Sequence, residues 1–558
     1  MSAATSVTPG NPRWLFGPGS DLLLGCGVVY MGIFALLAAA GDRVEAAIPI
    51  ASFMLISLVV SAPHYGATLL RVYERREDRR AYAVFAIYIS ALILALFVAS
   101  LYSPWLGSLT FTLYLTWSPW HYSGQNYGLA VMFLRRRGVP LGPALKRLLY
   151  ATFLLSYGII FLTFHSGAGS AGYGQALPPA GGYHFVPLGI PAHAADLLLS
   201  GLAVAYGSAL IVFLVLLQRV SRLRDQAPAL LLMASQALWF ALPGLARAIG
   251  PLAAIEPLRP ESAAYVGLWI ASAHAIQYLW VTTYYAARAE SHLGRTRYLT
   301  KALLAGSAIW GLPALLFSPS LLGSVPYNLG LFTMVAATVN LHHFILDGAI
   351  WKLRDARIAR ILLRPKPAAG AGTSAKSGRR SFVGPLVWAT GLACLLVSVF
   401  GALETQYGAD RAGARGDAER LALAAKRLAW IGRDSPKLHH QLALFAERRG
   451  DRPGAEREYK AALAIYETKN VWHNLGMLYL GTRRYREALD AFEHALTLDP
   501  GLRPTLDQAA TAALALNDRA GAARFLERAA RVSPGDPALH RRLAQVRSES
   551  SLPADGVP

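Results

Sequence analysis

Acidic side chains are scarce in this chain: 33 Asp and Glu stand against 54 Lys and Arg, and charged residues of both signs fill only 16% of the 558 positions. With 54% hydrophobic residues and a mean hydropathy of +0.34, the chain is too apolar for a soluble protein of its length. Cysteine is scarcer still. Cys26 and Cys394 both sit inside apolar blocks and read as small buried fillers, which excludes a disulfide framework and a thiolate metal site. A net charge of +21 would suit nucleic acid if it were gathered on one face. Instead Arg and Lys stand in short clusters between apolar blocks, the placement that orients a membrane protein, and no nucleic-acid partner is expected.

What the chain has in quantity is long apolar blocks. A bilayer core of about 30 Å needs about 20 mainly apolar residues per helix. Blocks of that size fall near 22–40, 46–69, 81–102, 107–134, 148–166, 195–217, 228–249, 262–286, 301–321, 323–350 and 382–402, about eleven spans. Only Arg13 precedes the first as a basic flank, so it reads as a retained helix rather than a signal peptide. The basic clusters "RVYERREDRR", "RRRGVPLGPALKR", "RVSRLR", "RAESHLGRTRYLTK" and "KLRDARIARILLRPK" each follow an even-numbered span, whereas odd-side loops such as "GDRVE" and "FSPSLLGS" carry almost no Lys or Arg. By the positive-inside rule the N-terminus is cytoplasmic, and the eleventh span delivers the C-terminal region to the opposite side. The expected location is a bacterial inner membrane, and a span count wrong by one would invert the C-terminal side. Residues 165–196 form a Gly/Pro-rich outer loop holding His165, His184 and His193, which read as polar loop residues, and "KPAAGAGTSAKSGRR" reads as a flexible cytoplasmic linker.

Beyond residue 402 the composition turns to Arg, Glu, Ala and Leu. "VWHNLGMLYLGTRRYREALDAFEHALTLDP" sets Trp472, Leu475, Gly476, Tyr479, Ala488, Phe492, Ala495 and Pro500 at the spacing of the tetratricopeptide repeat. Ala455, Tyr459 and Ala462 echo it 33 residues earlier, and Ala522, Leu526, Ala529 and Pro534 echo it 34 later. A partial unit spans Leu421 to Pro436, and "PALHRRLAQVRS" reads as a closing helix. Residues 405–549 thus resemble the tetratricopeptide family, which implies a small α-solenoid and a protein or peptide partner; packing only against its own membrane domain is the bland alternative. The expected fold is all-α: a polytopic membrane domain at 1–402, the repeat domain at 403–549 and a disordered tail at 550–558.

Ionisable side chains inside spans are costly and point to function. His64, His121, His274, and the adjacent His342 and His343 in "NLHHFILDGAIWKLR" all fall on even-numbered spans. His64 precedes Arg71 by 7 residues, His121 precedes Arg135 by 14, His274 precedes Arg288 by 14, and His342 precedes Lys352 by 10. At 1.5 Å per residue these depths all lie in the cytoplasmic half. Positions i and i+4 share a helix face, which pairs His121 with Gln125, His274 with Tyr278 and His343 with Asp347, while His342 faces elsewhere. Neutral imidazole binds iron, copper and zinc, and its second N–H is usually held by a carboxylate or amide. The five histidines are therefore candidate metal ligands, with Asp347, Tyr278 and Gln125 as candidate catalytic residues. Without thiolate, the nitrogen and oxygen donors suit non-haem iron. A lone histidine in a span is more often bonded to a neighbouring helix, so a polar helix seam is the competing reading. Trp117, Trp120, Tyr122, Trp280, Tyr284 and Tyr285 can line a pocket for a long apolar substrate, although interfacial aromatic belts also account for them.

Isolated histidines on successive spans, with "PHYGA" at Pro63 to Ala67, resemble the Brp/Blh-type β-carotene 15,15′-dioxygenases over residues 14–360. The resemblance implies iron on His64, His121, His274 and one of His342 or His343, and oxidation of a carotenoid or another lipid. Two late histidines at i and i+4 would be expected there; here they are adjacent, and the i+4 partner is Asp347. The HxxxH and HxxHH boxes of membrane desaturases are absent. Eleven spans followed by extracytoplasmic repeats are also similar to certain GT-C glycosyltransferases, which need an acidic pair in a large first outer loop, where this chain has only Asp42 and Glu45. A non-enzymatic membrane scaffold presenting the repeats is the third reading.

Overall fold

The computed structural model describes residues 13–74, 76–166, 183–246, 249–289, 294–351, 356–363 and 383–550. The linker, most of the outer loop, residues 352–355 with Lys352 and Arg354, and the tail beyond residue 550 lie outside them. The described residues form helices, with one isolated bridge between Ser166 and Ile190 and no strand. They divide into two compact units, residues 1–316 with 330–402, and residues 317–329 with 403–558.

The first unit holds α1 (Val28–Ala47), α2 (Phe53–Tyr73), α3 (Val84–Tyr102), α4 (Pro104–Arg136), α5 (Pro143–His165), α6 (Ala192–Val220), α7 (Leu223–Ala246), α8 (Ala263–Ala289), α9 (Arg295–Leu316), α10 (Leu331–Ile350), the short α11 (Ala356–Leu363) and α12 (Val383–Leu403). Every apolar block of the sequence falls on one of them. Proline opens α4 and α5, where its missing N–H leaves nothing unpaired, and Ser103 caps α4 by accepting from the Leu106 amide at 3.3 Å. Among the described residues, seven helices are long and apolar enough to cross a membrane, or eight if the bent pair Pro18–Gly25 and Val28–Ala47 is one span. That is fewer than eleven. α4, α8 and α10 stay outside the seven because polar residues interrupt their apolar runs, and they are the helices that carry His121, His274 and His343.

Boundaries around the tenth block also move. α9 stops at Leu316 and α10 starts at Leu331, because Ser318, Pro319, Ser320, Gly323 and Pro326 cannot sustain a helix, so residues 317–329 form a connection assigned to the second unit.

α2 sits at the centre, packed on α8, α9 and α10, while α10 also packs on α4. The α2–α9 contact is a small-residue seam. A Cβ on Gly66 would collide with the carbonyl oxygen of Ala302, and one on Gly306 with that of Ala62, so the two backbones meet directly.

The second unit is built from antiparallel helix pairs: α13 (Ala418–Trp430), α14 (Pro436–Arg448) with α15 (Arg452–Ile465), α16 (Lys469–Gly481) with α17 (Tyr485–Leu498), α18 (Arg503–Ala515) with α19 (Arg519–Val532), and a closing α20 (Pro537–Ser550). Asp417, Asp451 and Asp518 cap α13, α15 and α19 by accepting from the Arg420, Gly454 and Gly521 amides. Tyr459, Phe492, Ala488, Ala522 and Leu526 fill one continuous core, and a Cβ on Gly476 would strike the Phe492 ring. Residues 317–329 join this unit through Tyr327, whose ring lies 4.3 Å below the Arg433 guanidinium.

Candidate metal centre

Four helices of the first unit each bring one imidazole to a common point: His64 from α2, His121 from α4, His274 from α8 and His343 from α10. Ring centroids are 4.2 Å apart for His64 and His343, 5.0 Å for His64 and His274, 5.1 Å for His121 and His274, and 4.9 Å for His121 and His343. Ligand atoms of His64, His274 and His343 lie within 4.8 Å of one another, and so do those of His121, His343 and Asp347. Asp347 Oδ2 stands 3.4 Å from His343 Nε2 and 3.9 Å from His121 Nε2.

Their hydrogen bonding is incomplete. Both ring nitrogens of His64, both of His274, and Nε2 of His121 and of His343 are buried without a partner. Nearly all buried polar atoms in proteins are paired, so six such nitrogens in one cluster mark a place where a further group fits. The donor set, four imidazoles and a carboxylate, is one that transition metals accept.

Neighbouring side chains orient His121, His274, His343 and Asp347. Tyr122 stacks on His274 at 4.0 Å and 21°, and Phe344 on His121 at 4.4 Å and 25°. The Thr68 hydroxyl is 2.9 Å from both His343 Nδ1 and Asp347 Oδ1; the Tyr278 hydroxyl donates to the same carboxylate oxygen at 2.7 Å and accepts from Trp351 Nε1 at 2.9 Å. Gln125 bonds to the Gln277 side chain and, at 3.3 Å, to the His274 carbonyl. Tyr278 and Gln125 thus lie beside the cluster. His342 does not join it. The adjacent residue on a helix points about 100° away, and its Nε2 bonds to the Ser90 hydroxyl at 2.7 Å.

Beside His121 and Asp347 opens a chamber of about 320 Å³, walled by Trp117, Trp120, Gln125, Tyr278, Phe344 and Trp351. Gly124 and Gly128 also line it and have no atom within 4 Å of where a Cβ would stand, so the chamber is open above these two positions of α4. Trp280 and Tyr284 pack elsewhere, against Leu15 and Phe16; the Trp280 Nε1–H donates to the buried Asp21 at 3.2 Å. His165 bonds to Thr116 at 2.9 Å, and His184 and His193 are exposed.

Thr68, Trp351, Phe344 and Gln277 were not singled out in the sequence. Thr68 had a signal: it stands four residues after His64, the same spacing that selected Gln125, Tyr278 and Asp347. The free cysteines Cys26 and Cys394 are both buried. Asp42 and Glu45 lie on the last two turns of α1 rather than in an extended outer loop.

Comparison with protein families matches the tetratricopeptide repeat model to residues 470–502, the pair α16 and α17 with the first residues beyond it. A tetratricopeptide repeat is therefore present in the second unit, and a protein-interaction role follows for it in general terms. Comparison with characterised proteins gives no match.

Proposed function

We propose that the first unit is a membrane-embedded metalloenzyme of the oxygenase class, with non-haem iron held by His64, His121, His274 and His343 and with Asp347 as a further ligand or acceptor. The unpaired nitrogens carry this reading. A helix seam built for packing would pair its imidazoles with hydroxyls and carbonyls, as His342 and His165 are paired, whereas these four rings face one another. Iron in such a site supplies activation of dioxygen for oxidation of a hydrocarbon substrate.

The chain's own residues do the rest. Tyr122 and Phe344 hold ring planes, Thr68 and Tyr278 hold the Asp347 carboxylate, and Trp117 and Trp120 form the apolar wall along which a lipid-phase substrate lies against His121. The resemblance to the Brp/Blh-type dioxygenases favours a polyene such as a carotenoid, and one imidazole from each of four helices suits that plan, with His343 as the late ligand. In this reading all eleven long helices cross the bilayer, the three polar ones shielded by the others.

The repeats bind a protein or peptide partner on the extracytoplasmic side. Two observations support that side: the loop at residues 317–329 belongs to the same compact unit as the repeats, and its sequence carries no basic cluster. The glycosyltransferase reading has no comparable support, since its acidic pair sits within α1.

Elemental analysis of detergent-purified protein is the direct test. Near-stoichiometric iron, lost in His274→Ala and His343→Ala and kept in His342→Ala, is the expected outcome. Folded wild-type protein from iron-replete cells that holds no metal refutes the proposal.

A further inference from the structure

The chamber beside His121 and Asp347 is long as well as apolar. Its α4 wall is made by Trp117, His121, Gly124, Gly128 and Met132, spaced at 4, 3, 4 and 4 residues, which is one face of the helix. From Trp117 to Met132 is 15 residues, about 22 Å at 1.5 Å per residue. Spread over that length, a volume of about 320 Å³ is a narrow slot running along α4. One end is closed by carbon. Ile358 and Leu362 of α11, 1% and 4% exposed, line the slot together with Met132, and Arg136 holds α11 there by donating to the Leu362 carbonyl at 2.8 Å. The flank is open. Gly124 of α4 and Gly348 of α10 both line the slot and are exposed, and neither has an atom within 4 Å of where a Cβ would stand. Trp120, one turn before Gly124, is 41% exposed.

Length, wall and opening together select the occupant. A compact fused-ring molecule would use only part of the length. A polar headgroup would meet carbon at the closed end, and midway the polar side chains are already engaged, Gln125 with Gln277 and Asp347 with Thr68 and Tyr278. An extended hydrocarbon chain matches the length and the apolar walls, and the open flank lets it enter from the side.

We propose that this slot binds one extended hydrocarbon chain parallel to α4, entering between Gly124 and Gly348, with its methyl end against Met132, Ile358 and Leu362. An extended chain advances about 1.2 Å per bond, so about 18 bonds fill the slot, and any further length stays in the bilayer. His121 stands 11 residues before Met132, so the stretch of chain beside it lies about 16 Å from the methyl end. Binding stands on the slot alone; its link to catalysis rests on the metal reading.

The test is photolabelling of the full-length protein in lipid nanodiscs, with adducts mapped by peptide mass spectrometry. Two arms separate the sources of such a chain: octadecane with a diazirine at one end, and phosphatidylcholine with the diazirine at the methyl end of a stearoyl chain. The expected result is saturable labelling of Met132, Ile358 or Leu362 in at least one arm, and that arm names the source. Excess unlabelled octadecane should compete, and a fused four-ring hydrocarbon of similar carbon number should not. Gly124→Leu and Gly348→Leu, which fill the open flank, should each lower labelling at least about tenfold. Gly201→Leu, at an exposed and open position of α6 away from the slot, should leave it unchanged, and gel filtration reports whether each variant is folded. No saturable labelling at these three residues in either arm, equal competition by the fused rings, or full labelling in folded Gly124→Leu and Gly348→Leu overturns the proposal. Because iron content is measured separately, these outcomes leave the metal reading standing or falling on its own test.

Discussion

Thr68 is the smallest side chain in the histidine cluster, and it has one of the widest reaches. Its hydroxyl touches His343, Asp347 and Tyr278 at once, at 2.9, 2.9 and 2.6 Å. If iron sits on the four imidazoles, Thr68→Val removes a group that orients two of the ligating residues while preserving shape. The expected effect is a loss of metal affinity of about 10–100-fold, read by competition with a calibrated chelator, with Asp347→Asn at least as severe. Ser90→Ala, whose hydroxyl bonds to the excluded His342, to Tyr73 and to the Phe85 carbonyl but to none of the four converging histidines, should leave affinity unchanged. In the repeat unit the informative residue is His439, whose Nδ1 lies 2.7 Å from Glu458 and Nε2 3.1 Å from Asp434. The hydrogen bonds of these two carboxylates, opposed by burial, push its pKa up to about 9. The folded value exceeds the unfolded one, so the stabilisation is complete below about pH 6.5 and is lost as pH rises through about 9. Hydrogen exchange of α14 and α15 in the full-length protein should accelerate over that window, and His439→Gln should flatten the change. Most of the cluster was legible in the sequence, because polar groups within apolar blocks are few. The choice between His342 and His343 needed the helix phase, and the pairing by Thr68 needed the neighbouring helix.

At the scale of elements, the seam between α2 and α9 places the cluster. Backbone contact at Gly66 and Gly306 leaves no space for side chains and sets the depth of His64, two residues before Gly66. Gly66→Val and Gly306→Val should each destabilise the first unit by about 1–3 kcal/mol or force the helices apart, seen as a lowered unfolding midpoint in detergent and as weaker metal retention. Gly476→Val tests the same kind of contact in the repeat, where Phe492 fills the space. Gly476 and Ala488 announced themselves through the repeat spacing. Gly66 and Gly306 did not, since a lone glycine in an apolar block gives no sign of which helix it faces. The helix ends were equally hard to read: residues 317–329 are apolar enough to extend both flanking blocks, and only their prolines and serines mark the break.

At the scale of the whole molecule, two units are joined both at residues 402–403 and through the α9–α10 connection that belongs to the second unit. A phosphatase fused after residue 558 should be active in the periplasm, and a fluorescent protein at the same point should be dark; the reverse pattern would falsify the proposed side for the repeats. Arg433→Ala removes the cation over Tyr327 and should loosen residues 317–329, measured as faster exchange there, while leaving iron content unaltered. Composition and the basic clusters gave the two-part plan. The three helices short of the span threshold mattered more than their number.

If those three helices cross the bilayer as proposed, they also pose a biosynthetic problem. α4, α8 and α10 carry His121, His274, His343 and Asp347 on segments whose own hydropathy does not reach that of a membrane span. An ionisable residue at the centre of an inserting helix costs about 2.5–3.5 kcal/mol on translocon scales. Such a segment leaves the translocon readily only when an already inserted partner covers its polar face. α2 is synthesised before all three and packs on α8 and α10, while α10 packs on α4. If all three cross the bilayer as proposed, the first two-thirds of the chain remains near the translocon until α10 emerges, and fragments ending before Leu331 should be degraded rather than accumulate as a partial bundle.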